Sequence, residues 1–344
     1  MRTHLLSPVF LVACLPMLAR TVASVRAAGG LRPSHARWGP ASVPPRVAGR
    51  CRLPAGGFLP ITPGRPLADR FVRRVSTAAG GPPPISFQDA AAYERMTGAW
   101  SRLVGRDFLD WLAPARGLRW LDVGCGNGVF TGLIADRCAP ASVEGIDPEP
   151  AQLDYARRRP DSRDARFRVG DAMALPCLPA SVDVAAMALV LFYLPDPAQG
   201  VAQMVRVVAP SGIVCAYNWD LARGGSPLAV LGRAMRRAGV ETPTAPSAWA
   251  AAEEAVRRLW TDAGLEDVQT RRITVRREFE SFEALWEVLQ LGASTAPVLR
   301  GLSFGKREEI KGYVREQVGL GNGDDGPVTC EASAIAVKGR VKRS

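Results

Sequence analysis

The sequence predicts an α/β fold built on an open, doubly wound parallel sheet, and three observations carry that prediction. An apolar run with β character (Leu118, Trp120, Leu121, Val123) breaks at Gly124-Cys125-Gly126-Asn127-Gly128 into a run suited to a helix. That strand–loop–helix unit is how open α/β sheets receive a nucleotide at a helix N-terminus. Short apolar strands then keep alternating with helical stretches to about residue 220, the order of βαβ units. The fourth of these strands, 182–189, is apolar on both faces, as a central strand covered from either side requires.

The glycines at 124, 126 and 128 suit a loop that must turn sharply and let its backbone approach a ligand with no Cβ between. Their spacing is G-x-G-x-G. A dinucleotide fingerprint needs G-x-G-x-x-G, and the places where its last glycine would fall hold Val129 and Thr131. A nicotinamide-dependent oxidoreductase is therefore disfavoured. A plain glycine turn closing a strand accounts for the three residues equally well until the downstream context is added.

Ahead of the loop, Asp89 can cap a helix through residues 90–96. Trp100, Val104, Phe108 and Trp111 then recur at helical spacing on one face, either as packing on the sheet or as a lid in which Tyr93, Met96 and Trp100 close a site. After the loop come a helix over 129–136 and a strand over 142–146 ending at Asp147. This acid either accepts from both hydroxyls of a ribose or caps the next helix, with Pro148 in its first turn. A helix over 152–159 and a strand over 165–169 lead to Gly170-Asp171-Ala172. Here the carboxylate would accept from an adenine amine, Ala172 N–H would donate to a ring nitrogen and Met173 would cover the ring; an ordinary Gly-Asp turn is the other reading. The helix 198–208 turns through Pro210-Ser211-Gly212 into a strand over 213–218. Beyond Asp220 the alternation is interrupted. Residues 221–249 read as loop and short helices, followed by a helix over 250–263, a strand over 268–279, helical stretches over 281–291 and 306–318, and a last strand over 328–337. Insertions after strand carboxyl ends lie over the crevice of such a sheet, which makes 221–249 and 281–320 the candidates for substrate selection.

Composition excludes several classes. Residues 1–84 carry twelve Arg, no Lys and one acid, whereas the rest of the chain has 32 basic and 32 acidic residues. The net charge of +11 thus belongs to the N-terminal segment, and no nucleic-acid partner follows from it. Prolines throughout that segment predict that it does not pack. Its apolar run 5–18 is too short to span a bilayer. It reads as a secretory signal, an Arg-rich organellar presequence, or translated sequence upstream of the true start. The seven cysteines are scattered with no C-x-x-C, so neither a disulfide framework nor a metal site is expected; they fit a reducing compartment. The only histidines are His4 and His35, which leaves the body without a His triad or a His general base and removes most hydrolase mechanisms.

Asp122 ahead of G-x-G-x-G, Asp147, Gly170-Asp171-Ala172 and the strand-four loop occur in an order that resembles the class I S-adenosylmethionine (SAM) methyltransferases. Within them the chain is most similar to the small-molecule type 11 branch, like enzymes of ubiquinone and menaquinone biosynthesis. Arg206-Val207-Val208-Ala209-Pro210-Ser211-Gly212 resembles that family's turn before strand five, with Ser211 in place of a glycine. The resemblance covers about 85–344 and is strongest over 118–218. It implies a Rossmann-like seven-stranded sheet ordered 3-2-1-4-5-7-6 with the last strand antiparallel. It implies SAM as cofactor: Gly124, Cys125, Gly126 and Gly128 along the methionine moiety, Asp122 supporting the loop and the amino group, Asp147 and Pro148 at the ribose, Asp171, Ala172 and Met173 at the adenine, and Leu189 beside them. No metal is implied.

Methyl transfer suits a body without histidine, because in-line attack on a sulfonium methyl expels a neutral thioether and mainly requires alignment. Trp100, Phe192, Tyr193, Trp219 and Trp286 favour a small, partly apolar acceptor, with Tyr93 also on the substrate side. Tyr93, Tyr193 or Asp220 would serve if a base is needed. A catalytically silent SAM-binding regulatory module is the rival reading. Since SAM is made and used inside cells, the expected location is the cytoplasm, with export or organelle targeting if 1–84 is a genuine presequence.

Overall fold

The computed structural model describes residues 85, 87–321 and 325–343; the segment 1–84, with its signal, presequence and upstream-start readings, lies outside them. Helix α1 (Ala90–Tyr93), whose N-cap Asp89 accepts from Ala92 N, runs through a π-helical turn (Glu94–Gly98) into α2 (Ala99–Leu112). Next come β1 (Arg119–Val123), α3 (Val129–Cys138), β2 (Ser142–Asp147), α4 (Pro150–Ala156), β3 (Arg166–Val169) and β4 (Val182–Ala188). They are followed by α5 (Pro197–Val207), β5 (Val208–Trp219), α6 (Ala229–Arg237), α7 (Glu253–Asp262) and β6 (Glu266–Phe279). The chain closes with α8 (Phe282–Leu289), α9 (Ala296–Arg300), α10 (Phe304–Gln317) and β7 (Val328–Arg340).

The strands form one sheet in the order β3-β2-β1-β4-β5-β7-β6. Pairs from β3 to β5 are parallel, and β7 is antiparallel to both β5 and β6. The expected order and the reversed last strand are both present. Alternate residues serve opposite faces, as strand geometry dictates. Val184, Ala186, Cys215 and Tyr217 meet α2 and α3 on one side; Ala185, Met187, Val214 and Ala216 meet α5 and α7 on the other. Both faces are buried, which is why the strand-four pattern reads as continuously apolar.

Some boundaries move for local reasons. α4 begins at Pro150 with Glu149 as N-cap residue and ends before Pro160, so Asp147 is not its cap and the helix stops short of the expected 159. β5 starts directly after α5, and the expected Pro-Ser-Gly turn lies inside it. There Ser211 has φ +64°, a conformation that disfavours any Cβ. Ser211→Gly should therefore stabilise the fold by about 0.5–1 kcal/mol, the relief of left-handed strain less glycine's greater unfolded-state entropy; chemical denaturation measures it.

Candidate active site

Because β1, β2 and β3 are parallel neighbours, Asp122, Asp147 and Asp171 come together at one end of the sheet. The glycine loop crosses that end. Gly124 N and Cys125 N both donate to Ile146 O, at 2.7 and 3.0 Å, and Gly128 N donates to Cys125 O at 3.0 Å. All three glycines have positive φ, +72°, +52° and +82°, but their surroundings differ. A Cβ on Gly124 would strike Val190 at 2.5 Å and one on Gly128 would strike Ala156 at 2.9 Å. One on Gly126 would meet only Gln152 Oε1, at 3.9 Å. Two glycines thus let the loop pack, and the middle one faces open space where a ligand backbone can lie. Cys125 turns its thiol onto Gly145 of β2, so only its main chain faces the crevice.

Two carboxylates stand behind this loop. Asp122 is wholly buried; its Oδ2 accepts from Thr131 Oγ1 at 2.6 Å, and its Oδ1 has no partner. Desolvation raises its pKa to about 7 against the bond from Thr131. Asp147 accepts from Gly126 N at 2.8 Å and from Glu149 N at 2.9 Å. Burial raises its pKa too, partly offset by those two amide bonds. Among the described residues neither acid forms an ion pair. The site is thus a bare main-chain cradle with two buried, unneutralised carboxyls, one with a vacant acceptor atom. These features suit a ligand carrying hydroxyl and ammonium donors, as the adenosyl and methionine parts of SAM do.

Burial of Asp122 makes stability depend on pH. Its folded-state pKa lies above the unfolded value, so the contribution of the protonated acid is fully present below about pH 4. It is lost as pH rises through about 7. Asp122→Asn should therefore melt higher than the parent at pH 8, and by a smaller margin at pH 5, in ligand-free thermal scans at the two pH values.

Asp171 Oδ1 accepts from Met173 N at 2.8 Å, making the turn that presents buried Ala172 after β3. Pro148 is exposed beside Asp147. Leu189, Phe192, Tyr193 and Trp219 line a cavity of about 210 Å3, joined by Phe87, Tyr93 and Met96 from the stretch ahead of α2. Leu189 leaves β4 at φ +62°, held by its N–H to Tyr217 O at 2.8 Å; such strain concentrates at functional sites. Phe192 and Phe87 rings stand 4.4 and 5.0 Å from Tyr193. Ser226, Leu228, Thr244, Ala245, Ala248, Ala293 and Ser294 supply the far wall, so both expected insertions reach the cavity. Among the described residues no charged side chain lines it.

Three expectations need correction. Trp100 and Trp286 are buried in the core and do not line the cavity; helical periodicity marks the buried stripe without showing which residue meets a cavity. Asp220 is ion-paired with Arg272, which removes it as a free base. The tyrosines stay protonated: burial first, then the neighbouring Tyr193, Tyr217, Asp147 and Asp122, push Tyr93 far up, and burial pushes Tyr193 up to about 12.

Sequence reading missed the groups that hold residues 87–94 over the loop. Glu94 accepts from Asn127 Nδ2 and from Arg159, each at 2.8 Å, and pairs with Arg102 at 3.2 Å. Gln152 Nε2 donates to Phe87 O. These partners are 33 to 65 residues apart, beyond any local pattern.

The strand order and the glycine loop at one end of the sheet define a Rossmann-like α/β domain. Residues 121–216 match the family model described as a methyltransferase domain. It is 31% identical over 171 residues to an uncharacterized 37.1 kDa protein in transposon TN4556 of Streptomyces fradiae, covering 46% of this chain and 48% of that one. It is 36% identical over 110 residues to the chloroplastic 2-methyl-6-phytyl-1,4-hydroquinone methyltransferase 2 of rice, covering 31% and 32%. With the demethylmenaquinone methyltransferase of Deinococcus radiodurans the identity is 36% over 96 residues, covering 27% and 40%. The chain thus spans half or less of the length of these curated relatives. Among solved structures, YcgJ of Bacillus subtilis superposes with a TM-score of 0.49 at 15% identity, over 70% of this chain and 98% of that one.

Proposed function

We propose that the protein transfers a methyl group from SAM to a small, uncharged, partly apolar acceptor held in the cavity beside Leu189. The observation that carries this is a pair of spaces linked through Gln152, which borders Gly126 and bonds Phe87: an open cradle over Gly126 backed by Asp122 and Asp147, and an aromatic cavity with no charged lining among the described residues. When bound, SAM supplies a methyl on a sulfonium, whose leaving group is a neutral thioether. The residues provide the rest. Gly124, Gly126 and Gly128 let the backbone approach; Asp122 offers its vacant oxygen to a cationic donor; Asp147 orders the loop and lies within reach of a ribose. Phe87, Tyr93, Phe192 and Tyr193 exclude water and hold the acceptor in line, which can supply about 7–11 kcal/mol of the barrier. Both tyrosines act as walls and hydrogen-bonding hydroxyls, not as bases.

Size narrows the acceptor. A cavity of about 150 Å3 takes up benzene, so about 210 Å3 suits one substituted ring. A hydroquinone-like ring fits both that size and the relatives named for quinol and menaquinone substrates. Radiolabelled SAM should transfer its label to mono-ring phenols and hydroquinones; label appearing only on peptides or nucleic acid would overturn the reading. Among the described residues the cavity lining offers no carboxylate, His or Lys as a base and its tyrosines stay protonated, which favours one second reading, a silent SAM-binding module. Turnover to S-adenosylhomocysteine (SAH) with any acceptor separates the two. Among the described residues no helix is long and apolar enough to cross a membrane, and the free cysteines there suit action in the cytoplasm.

A further inference from the structure

Gln152 stands where the two spaces meet. It is 2% exposed, and its amide faces two ways. Nε2 donates to the carbonyl of Phe87, whose ring lines the acceptor cavity and packs on Tyr193 at 5.0 Å. Among the described residues Oε1 is buried without a partner and is the one atom within 4 Å of the open side of Gly126, 3.9 Å from where a Cβ there would stand. A buried acceptor lacking a donor is unfavourable, and here it borders the space read as the cofactor cradle.

We propose that Gln152 is a positioning residue that couples occupancy of the cradle to closure of the segment 85–93, so that the acceptor cavity is completed only after the cofactor has bound. The proposal rests on the cradle being the cofactor site. A hydroxyl or ammonium donor reaching Oε1 satisfies that atom and fixes the amide with its nitrogen toward Phe87. It also polarises the amide, and hydrogen bonds in series strengthen one another, so the bond to Phe87 O tightens. The segment's other end needs no such signal, because Glu94 already holds Asn127 and Arg159 at 2.8 Å each. Coupling therefore concentrates on residues 85–93, which carry Ile85, Phe87 and Tyr93 into the cavity wall. Binding becomes ordered, cofactor before acceptor.

Hydrogen exchange followed by mass spectrometry on the full chain, with SAH as the probe and calorimetry alongside, tests this. In the parent protein saturating SAH should slow exchange over 85–93 by about tenfold, the equilibrium worth of one hydrogen bond. Gln152→Leu should bind SAH about tenfold more weakly and, at saturation, protect the glycine loop but not 85–93. Gln152→Glu keeps an acceptor oxygen and loses the donor, so it should bind SAH yet leave 85–93 unprotected; it stands alone if the leucine variant fails to fold. Parent protein that binds SAH without slowing 85–93, or variants that protect this segment as the parent does, would overturn the coupling and leave the cofactor site intact. Parent protein that binds no SAH would overturn both.

Discussion

Gly126→Val is expected to abolish the stabilisation that SAH confers. At ~100 times its dissociation constant a ligand of the native state stabilises it by about 2.7 kcal/mol, read as a melting shift in the parent and absent in the variant. The direction from Gly126 is open apart from Gln152 Oε1 at 3.9 Å, so a branched side chain there fills ligand space instead of striking the fold. Its own backbone penalty, roughly 1–2 kcal/mol for a left-handed residue, appears in the ligand-free melt and separates from the lost shift. Substitution of Gly124 or Gly128 would act differently, since a Cβ there meets Val190 at 2.5 Å or Ala156 at 2.9 Å and the loop itself must move. Asp147→Ala should weaken SAH binding by roughly 1.5–3 kcal/mol, the range for bonds to a charged group, because the proposed ribose partner and the acceptor for Gly126 N are lost together. An unchanged melting shift in both variants would place the cofactor elsewhere.

Ala248→Trp should separate the acceptor space from the cofactor space. Ala248 lies in the cavity wall, on the short helical turn Ala248–Ala251. An indole projecting from it competes with a single-ring acceptor for about 210 Å3. The expected loss in kcat/KM for the acceptor is about a hundredfold, near 2.7 kcal/mol of transition-state stabilisation. SAH affinity by calorimetry should stay within about twofold, because Ala248 touches none of the cradle. Equal loss of both would mean that the two spaces are one site; full activity would place the acceptor outside this cavity.

The glycine loop and the two carboxylates behind it were written locally. Asp122, the three glycines and Asp147 lie within one βαβ unit, and backbone sterics at the loop leave glycine as the fitting residue. The alternation of strands and helices gave the sheet its class, and the resemblance carried by those motifs gave it its order. The roles of near-identical residues were not legible. Trp100, Trp286, Phe192 and Trp219 are all buried aromatic residues of one core cluster, yet only Phe192 and Trp219 also border the cavity. Asp220 looks like a free carboxylate until β6 brings Arg272 against it.

From the sequence alone came the parallel sheet, the glycine cradle and its acidic partners, because each depends on neighbours a few residues apart and on the fixed periods of strand and helix. Tertiary structure decided which aromatic rings enclose a space, which acid is neutralised and how Gln152 and Glu94 fasten residues 87–94. Those outcomes depend on contacts between chain segments 33 to 65 residues apart or more, and burial, which sets both packing and pKa, exists only once such segments have met.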